Sequence, residues 1–166
     1  MKTSMGISWG GLVAAAVLGV ALAGPARAQA AGHDHHADAP ARLSLNQGRK
    51  WGTDEPLRAG MDRIRGLVEP RIATAHAGKL RPAEYRELAG RVENEVATIV
   101  AHCKLEPEAD AMLHLVIADI GAGTEAMAGK DAKARPALGL VKVAQAVNQY
   151  GSHFEHPGFQ PIRNLH

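Results

Sequence analysis

Nine histidines, five methionines and a lone cysteine are the side chains in this 166-residue chain best suited to chemistry beyond packing. Thiol and thioether are soft ligands that favour Cu(I), and imidazole suits copper, zinc or iron. No finished motif organises them. The chain has no C-x-x-C-H for covalent haem, no H-E-x-x-H and no G-x-x-x-x-G-K-[ST]. One cysteine excludes an internal disulfide framework and a Cys-only zinc site. Without a Glu-x-x-His pair, a di-iron carboxylate centre has no ligands to use. An enzyme is the class the sequence supports least, so the chain is read as a non-enzyme.

The elements that must position these residues are helices. Leu57, Met61, Ile64, Val68, Ile72 and Ala75 recur at spacings of 4, 3, 4, 4 and 3, which is helical period. This predicts a helix over about 54–77, capped by Thr53 or Asp54, with Pro56 in its first turn and a kink at Pro70. Tyr85, Leu88, Val92, Val96, Ile99 and Cys103 predict a second helix over about 82–103, with Cys103 continuing the buried face. Leu113, Ile117, Ile120, Thr124 and Met127 predict a third over about 107–129, with His114 beside the stripe. Leu140, Ala144, Val147 and Phe154 predict a fourth over about 136–154, ended by Pro157 and Gly158. No segment alternates with period two long enough to argue a strand. The expected fold is all-α, an up-down-up-down four-helix bundle over 53–166. Aromatics make up only 4% of the chain, so its core must be aliphatic.

Ahead of the bundle, residues 1–28 have the pattern of a cleaved secretory signal peptide. Lys2 is followed by an apolar run from Gly11 to Ala23 and an Ala26-Arg27-Ala28 cleavage site. The apolar run is too short to span a membrane. The expected location is the periplasm, with no membrane insertion after cleavage. Losing Lys2 and Arg27 leaves equal numbers of basic and acidic residues, which gives no reason to expect nucleic acid as a partner. Residues 29–52 lack periodicity and are expected to form a flexible arm carrying His33, His35 and His36.

In an up-down bundle, one end collects the start of helix one, the end of helix two, the start of helix three and the end of helix four. Met61 would lie roughly 8 Å below that end and His114 roughly 10 Å below it, at 1.5 Å per residue. Cys103, His102, His153 and His156 would lie at it, and Trp51 would cover it. The expected metal ligands are Met61, Cys103, His114, His153 and His156, with His33, His35, His36 and His102 as accessory sites. Each also has a plainer reading. A stripe Met or Cys is ordinarily packing, and a terminal His is ordinarily solvated. Metal handling with copper as the cofactor is the leading expectation, its partner being the ion or a metal-donor protein.

The helix arrangement also resembles the small periplasmic b-type cytochromes built as four-helix bundles. Met61 in Leu57-Arg58-Ala59-Gly60-Met61, and His153 in Asn148-Gln149-Tyr150-Gly151-Ser152-His153, match the positions of their axial ligands. The resemblance implies non-covalent haem b held by Met61 and His153, serving electron transfer. A Met/His pair would raise its potential. Gly151, the Phe154-Glu155-His156-Pro157-Gly158-Phe159 ending, Cys103 and the His-rich arm depart from that pattern. The chain is also similar to uncharacterised secreted proteins of proteobacteria. A third expectation is a periplasmic interaction or sensor module with no cofactor.

Overall fold

A computed structural model of the chain describes residues 42–130 and 133–165. The expected signal peptide, and His33, His35 and His36, lie outside the described residues. Four helices follow one another: α1 (Glu55–His76), α2 (Pro82–His102), α3 (Pro107–Ala128) and α4 (Pro136–His153). All four begin with proline at one of the first two helical positions, where its missing N–H costs nothing. Among the described residues there is no strand, only two isolated bridges.

The ends have local causes. The Asp54 carboxylate accepts from Leu57 N and caps α1. After α1, Gly78 takes a positive φ of 66°, and after α3, Gly129 takes 72°. α1 continues through Pro70, the expected kink site, to His76. The carbonyl that Pro70 cannot serve belongs to Gly66, which is exposed and open to water.

Packing links α1 with α2 and α4, links α3 with α2 and α4, and brings α2 against α4. The α1 stripe is buried at all six expected positions. α2 buries Tyr85, Leu88, Val92 and Ile99, while Val96 and Cys103 are half-buried. In α3 the buried residue is Val116, and the expected Ile117 is only half-buried. α3 and α4 cross with their backbones in contact. A Cβ added to Gly139 would lie 2.6 Å from the Gly123 carbonyl oxygen. At the α1–α2 contact, Gly60 leaves room for the Ile99 side chain.

Residues 42–52, expected as part of the arm, fold onto the bundle. Asn46 and Arg49 bond each other across a tight turn. Trp51 N donates to the His153 carbonyl at 2.8 Å, and Glu155 N donates to the Trp51 carbonyl at 2.8 Å. These bonds join the start of α1 to the end of α4.

Candidate functional site

The end where α1 begins and α4 finishes is built by a few hydrogen bonds. Asp54 has two duties. Its Oδ1 caps α1, and its Oδ2 accepts from Lys104 N at 2.6 Å, tying the α2–α3 turn to the start of α1. Thr53 Oγ1 donates to the Glu155 carbonyl at 2.5 Å. Arg58 Nη1 donates to the carbonyl and hydroxyl oxygens of Thr53, both at 2.9 Å. Trp51 Nε1 donates to the Ser44 carbonyl at 2.6 Å, which holds the half-buried indole over this end.

After α4 the chain returns along α1 and α4. Asn148 exchanges two hydrogen bonds of 2.8 Å with the backbone of Ile162. Arg65 Nε donates to the Gln160 carbonyl at 2.6 Å. The Phe159 ring sits over Gly151, where any Cβ would collide with it. Within this return lies His156, whose side chain is only 6% exposed. Its Nδ1 is 3.0 Å from the Tyr150 hydroxyl and its Nε2 is 3.3 Å from Asp62 Oδ2. The rings of Tyr150 and Phe159 pack against it at 5.8 and 5.3 Å between centroids, and Phe154 stacks on Tyr150 at 5.3 Å. Burial, with the Asp62 charge adding to it, pushes the Tyr150 hydroxyl far above the ordinary tyrosine range. Tyr150 is therefore a neutral donor at any physiological pH.

This framework opens a cleft of about 580 Å³ between the first turns of α1 and the returning segment. Glu55, Arg58, Asp62, Glu155 and His156 supply its polar wall, and Gly52 and Thr53 its rim. A second cleft of about 420 Å³ lies across the 52–54 segment, between Trp51 and the α2–α3 turn.

The expected ligands fall into separate surroundings. Met61 is wholly buried in the core, with no exposed surface. Cys103 caps the end of α2 and is half-buried. Burial, then the charges of Asp54 and Asp110, raise its thiol above the ordinary range. His114 is on the exposed side of α3, its Nδ1 donating to the Asp110 carbonyl at 2.9 Å. His102 and His153 make the same bond one turn back, to Thr98 and Gln149. His156 belongs to the Tyr150–Asp62 pairing. Among the described residues, no group of three or more His, Cys, Asp or Glu side chains is arranged to hold a metal ion.

Sequence reasoning passed over Asp62, Arg58 and Tyr150. Tyr150 carried a signal, because a tyrosine on a core stripe needs a partner for its hydroxyl. Asp62 and Arg58 carried none, since a charge flanking a stripe ordinarily faces solvent. No protein-family model, no curated protein and no solved structure matches the chain.

Proposed function

We propose that the protein is an exported, cofactor-free helical binding module. Its ligand would sit in the cleft between residues 52–62 and 155–157. The observation that carries this reading is the cleft itself. At about 580 Å³ it has the size of a small-molecule site, and its walls are fixed by hydrogen bonds before any ligand arrives. With Nη1 engaged by Thr53, the rest of the Arg58 guanidinium can meet a carboxylate. Glu55, Asp62 and Glu155 favour a cationic group alongside. A small zwitterion or a peptide end suits this wall.

Within the same reading, the helices alternate up and down and the leader at 1–28 directs the chain to the periplasm. The alternation draws support from Asp54 bonding at the end of α2 and Trp51 bonding at the end of α4. The test is purification from the periplasm, elemental analysis, and thermal unfolding with amino acids and short peptides. The expected result is a colourless protein, indifferent to chelation, that is stabilised by a zwitterion and loses this response in Arg58→Gln. Stoichiometric copper or haem would overturn it.

Copper handling is a second proposal, and one observation favours it. Donation from Nδ1 to a backbone carbonyl leaves the Nε2 lone pair of His114 free, as in metal-ligating histidines. Cys103 is close enough to Asp110, the bonding partner of His114, for that charge to raise its thiol. Loss of copper binding in Cys103→Ala with His114→Ala would support this proposal, and unchanged affinity would overturn it. Haem between Met61 and His153 would require the closed core around Met61 to open.

A further inference from the structure

α3 is long and apolar enough to cross a membrane by length and composition, yet only 33% of its most apolar 18-residue stretch is buried. Met112, Ile117 and Ala128 pack part-buried against the core, and a further apolar face is turned outward. Opposite the buried Leu113, Val116 and Ile120 runs a second line at helical spacing, Ala111, Leu115, Ala118 and Ala122. The three alanines are exposed and Leu115 is half-buried. Further along the same face, Ala122, Ala126 and Ala134 line a shallow groove of about 450 Å³, rimmed by Glu125 and Lys130. The face thus carries a leucine near one end and a groove of alanines near the other.

Charge is divided in the same sense. Glu106 and Glu108 are exposed at the start of α3. Lys130 and Arg135 are exposed beyond its end, and Lys130 keeps 60% of its side chain in solvent beside Glu93. α3 spans about 33 Å at 1.5 Å per residue, so the two charged ends are well separated.

We propose that this face binds a second copy of the chain, α3 against α3, antiparallel about a twofold axis near residues 118–122. In that arrangement Leu115 of each copy enters the alanine groove of the other. Glu106 and Glu108 of each copy meet Lys130 and Arg135 of the other. A parallel pairing would instead set like charges together. One helix face, with Leu138 beside its groove, is smaller than the roughly 800 Å² per partner of a standard interface. The dimer is therefore weak and concentration-dependent. It lies on α3, away from the cleft at the start of α1, and stands or falls separately from the function proposed above.

The test is sedimentation of the purified chain from about 1 µM to about 1 mM, the range that resolves a weak dimer. The expected result is a reversible monomer–dimer equilibrium that Ala118→Arg weakens by at least about tenfold, the usual cost of a charge left unpaired in an interface. Ala122→Lys, also at an exposed position, must behave alike, and circular dichroism checks that both variants keep their helices. Glu108→Lys and Arg135→Glu should each weaken self-association, and mixing the two variants should restore a heterodimer. A wild-type chain that stays monomeric throughout overturns the proposal, as does a dimer indifferent to Ala118→Arg and Ala122→Lys. Ala118-dependent binding to anionic vesicles by a monomeric chain also overturns it.

Discussion

His156 Nε2 lies 3.3 Å from Asp62 Oδ2, and this pairing pins the returning C-terminal segment to α1. The second ring nitrogen is within 3.0 Å of the Tyr150 hydroxyl on α4. One imidazole therefore joins three parts of the chain: two helices and the segment that crosses them. With Tyr150 donating to Nδ1 and Nε2–H donating to Asp62, the neutral ring satisfies all three groups.

Removing this ring should leave the buried Tyr150 hydroxyl without its acceptor. His156→Ala is expected to cost about 1–3 kcal/mol for the orphaned group, in addition to lost packing. Tyr150→Phe should cost about 1 kcal/mol, and the two together less than their sum. Urea unfolding of the two single variants and the double variant measures this coupling. Strict additivity would mean that the hydroxyl finds another partner.

Alkaline pH should weaken the fold through the same tyrosine. Its hydroxyl is held above the ordinary value of 10.0, so the folded state keeps the proton that the unfolded chain releases. That contribution is complete below pH 10 and is lost as pH rises beyond it towards the higher folded value. Stability measured from pH 9 upward should fall less steeply in Tyr150→Phe than in the wild type. An equal slope would place the alkaline loss elsewhere, Tyr85 and Cys103 being the other groups raised by burial.

The core was legible in the sequence wherever a helix buries a single narrow face. Leu57, Met61, Ile64, Val68, Ile72 and Ala75 recur at helical spacing, and burial follows them without exception. α3 was harder to resolve because it is apolar on more than one face, so Ile117 and Val116 were interchangeable by spacing alone. Its second stripe, through Leu115 and Ala118, is visible in the sequence only once the first is fixed. The cleft was legible by location and not by composition. Chain direction alone suggested that helix ends would meet near Trp51 and His156. The role of Asp62 depends on a return after α4 that has no periodicity to reveal it, and that of Arg58 on the Thr53 segment ahead of α1.

Asp54 should be more costly to lose than an ordinary helix cap. Asp54→Ala removes the acceptor for Leu57 N, typically worth about 1 kcal/mol, and also the acceptor for Lys104 N. Asp54→Asn keeps one carbonyl oxygen and presents an amide where the second acceptor was. It should therefore recover only part of the loss. Chemical denaturation that ranks Asn level with the wild type would show that the Lys104 bond contributes nothing.

Cys103 should alkylate slowly near neutrality. Its thiol is raised by burial and by Asp54 and Asp110, and the thiolate is the reactive form. The rate of reaction with iodoacetamide should keep climbing with pH above the ordinary value of 9.0. Asp110→Asn should move the profile to lower pH by removing one of the charges that raise it. A profile that levels off below pH 8 would reveal an activated thiolate and would strengthen copper handling as a function.

Glycines in this fold divide into those that set a helix distance and those that do not. A Cβ on Gly123 would lie 2.8 Å from the Gly139 carbonyl oxygen and 2.6 Å from a Val143 methyl, so α3 and α4 would have to separate. Gly123→Ala should therefore destabilise by about 1–3 kcal/mol, the usual cost of overpacking, despite the better helix propensity of alanine. Gly90, inside α2, has nothing within 4 Å of the added methyl. Gly90→Ala should stabilise by about 0.5–1 kcal/mol, because the unfolded chain loses freedom and the folded one loses nothing. Thermal melts of the two variants must move in opposite directions. If both rise, the α3–α4 crossing is looser than Gly123 and Gly139 make it.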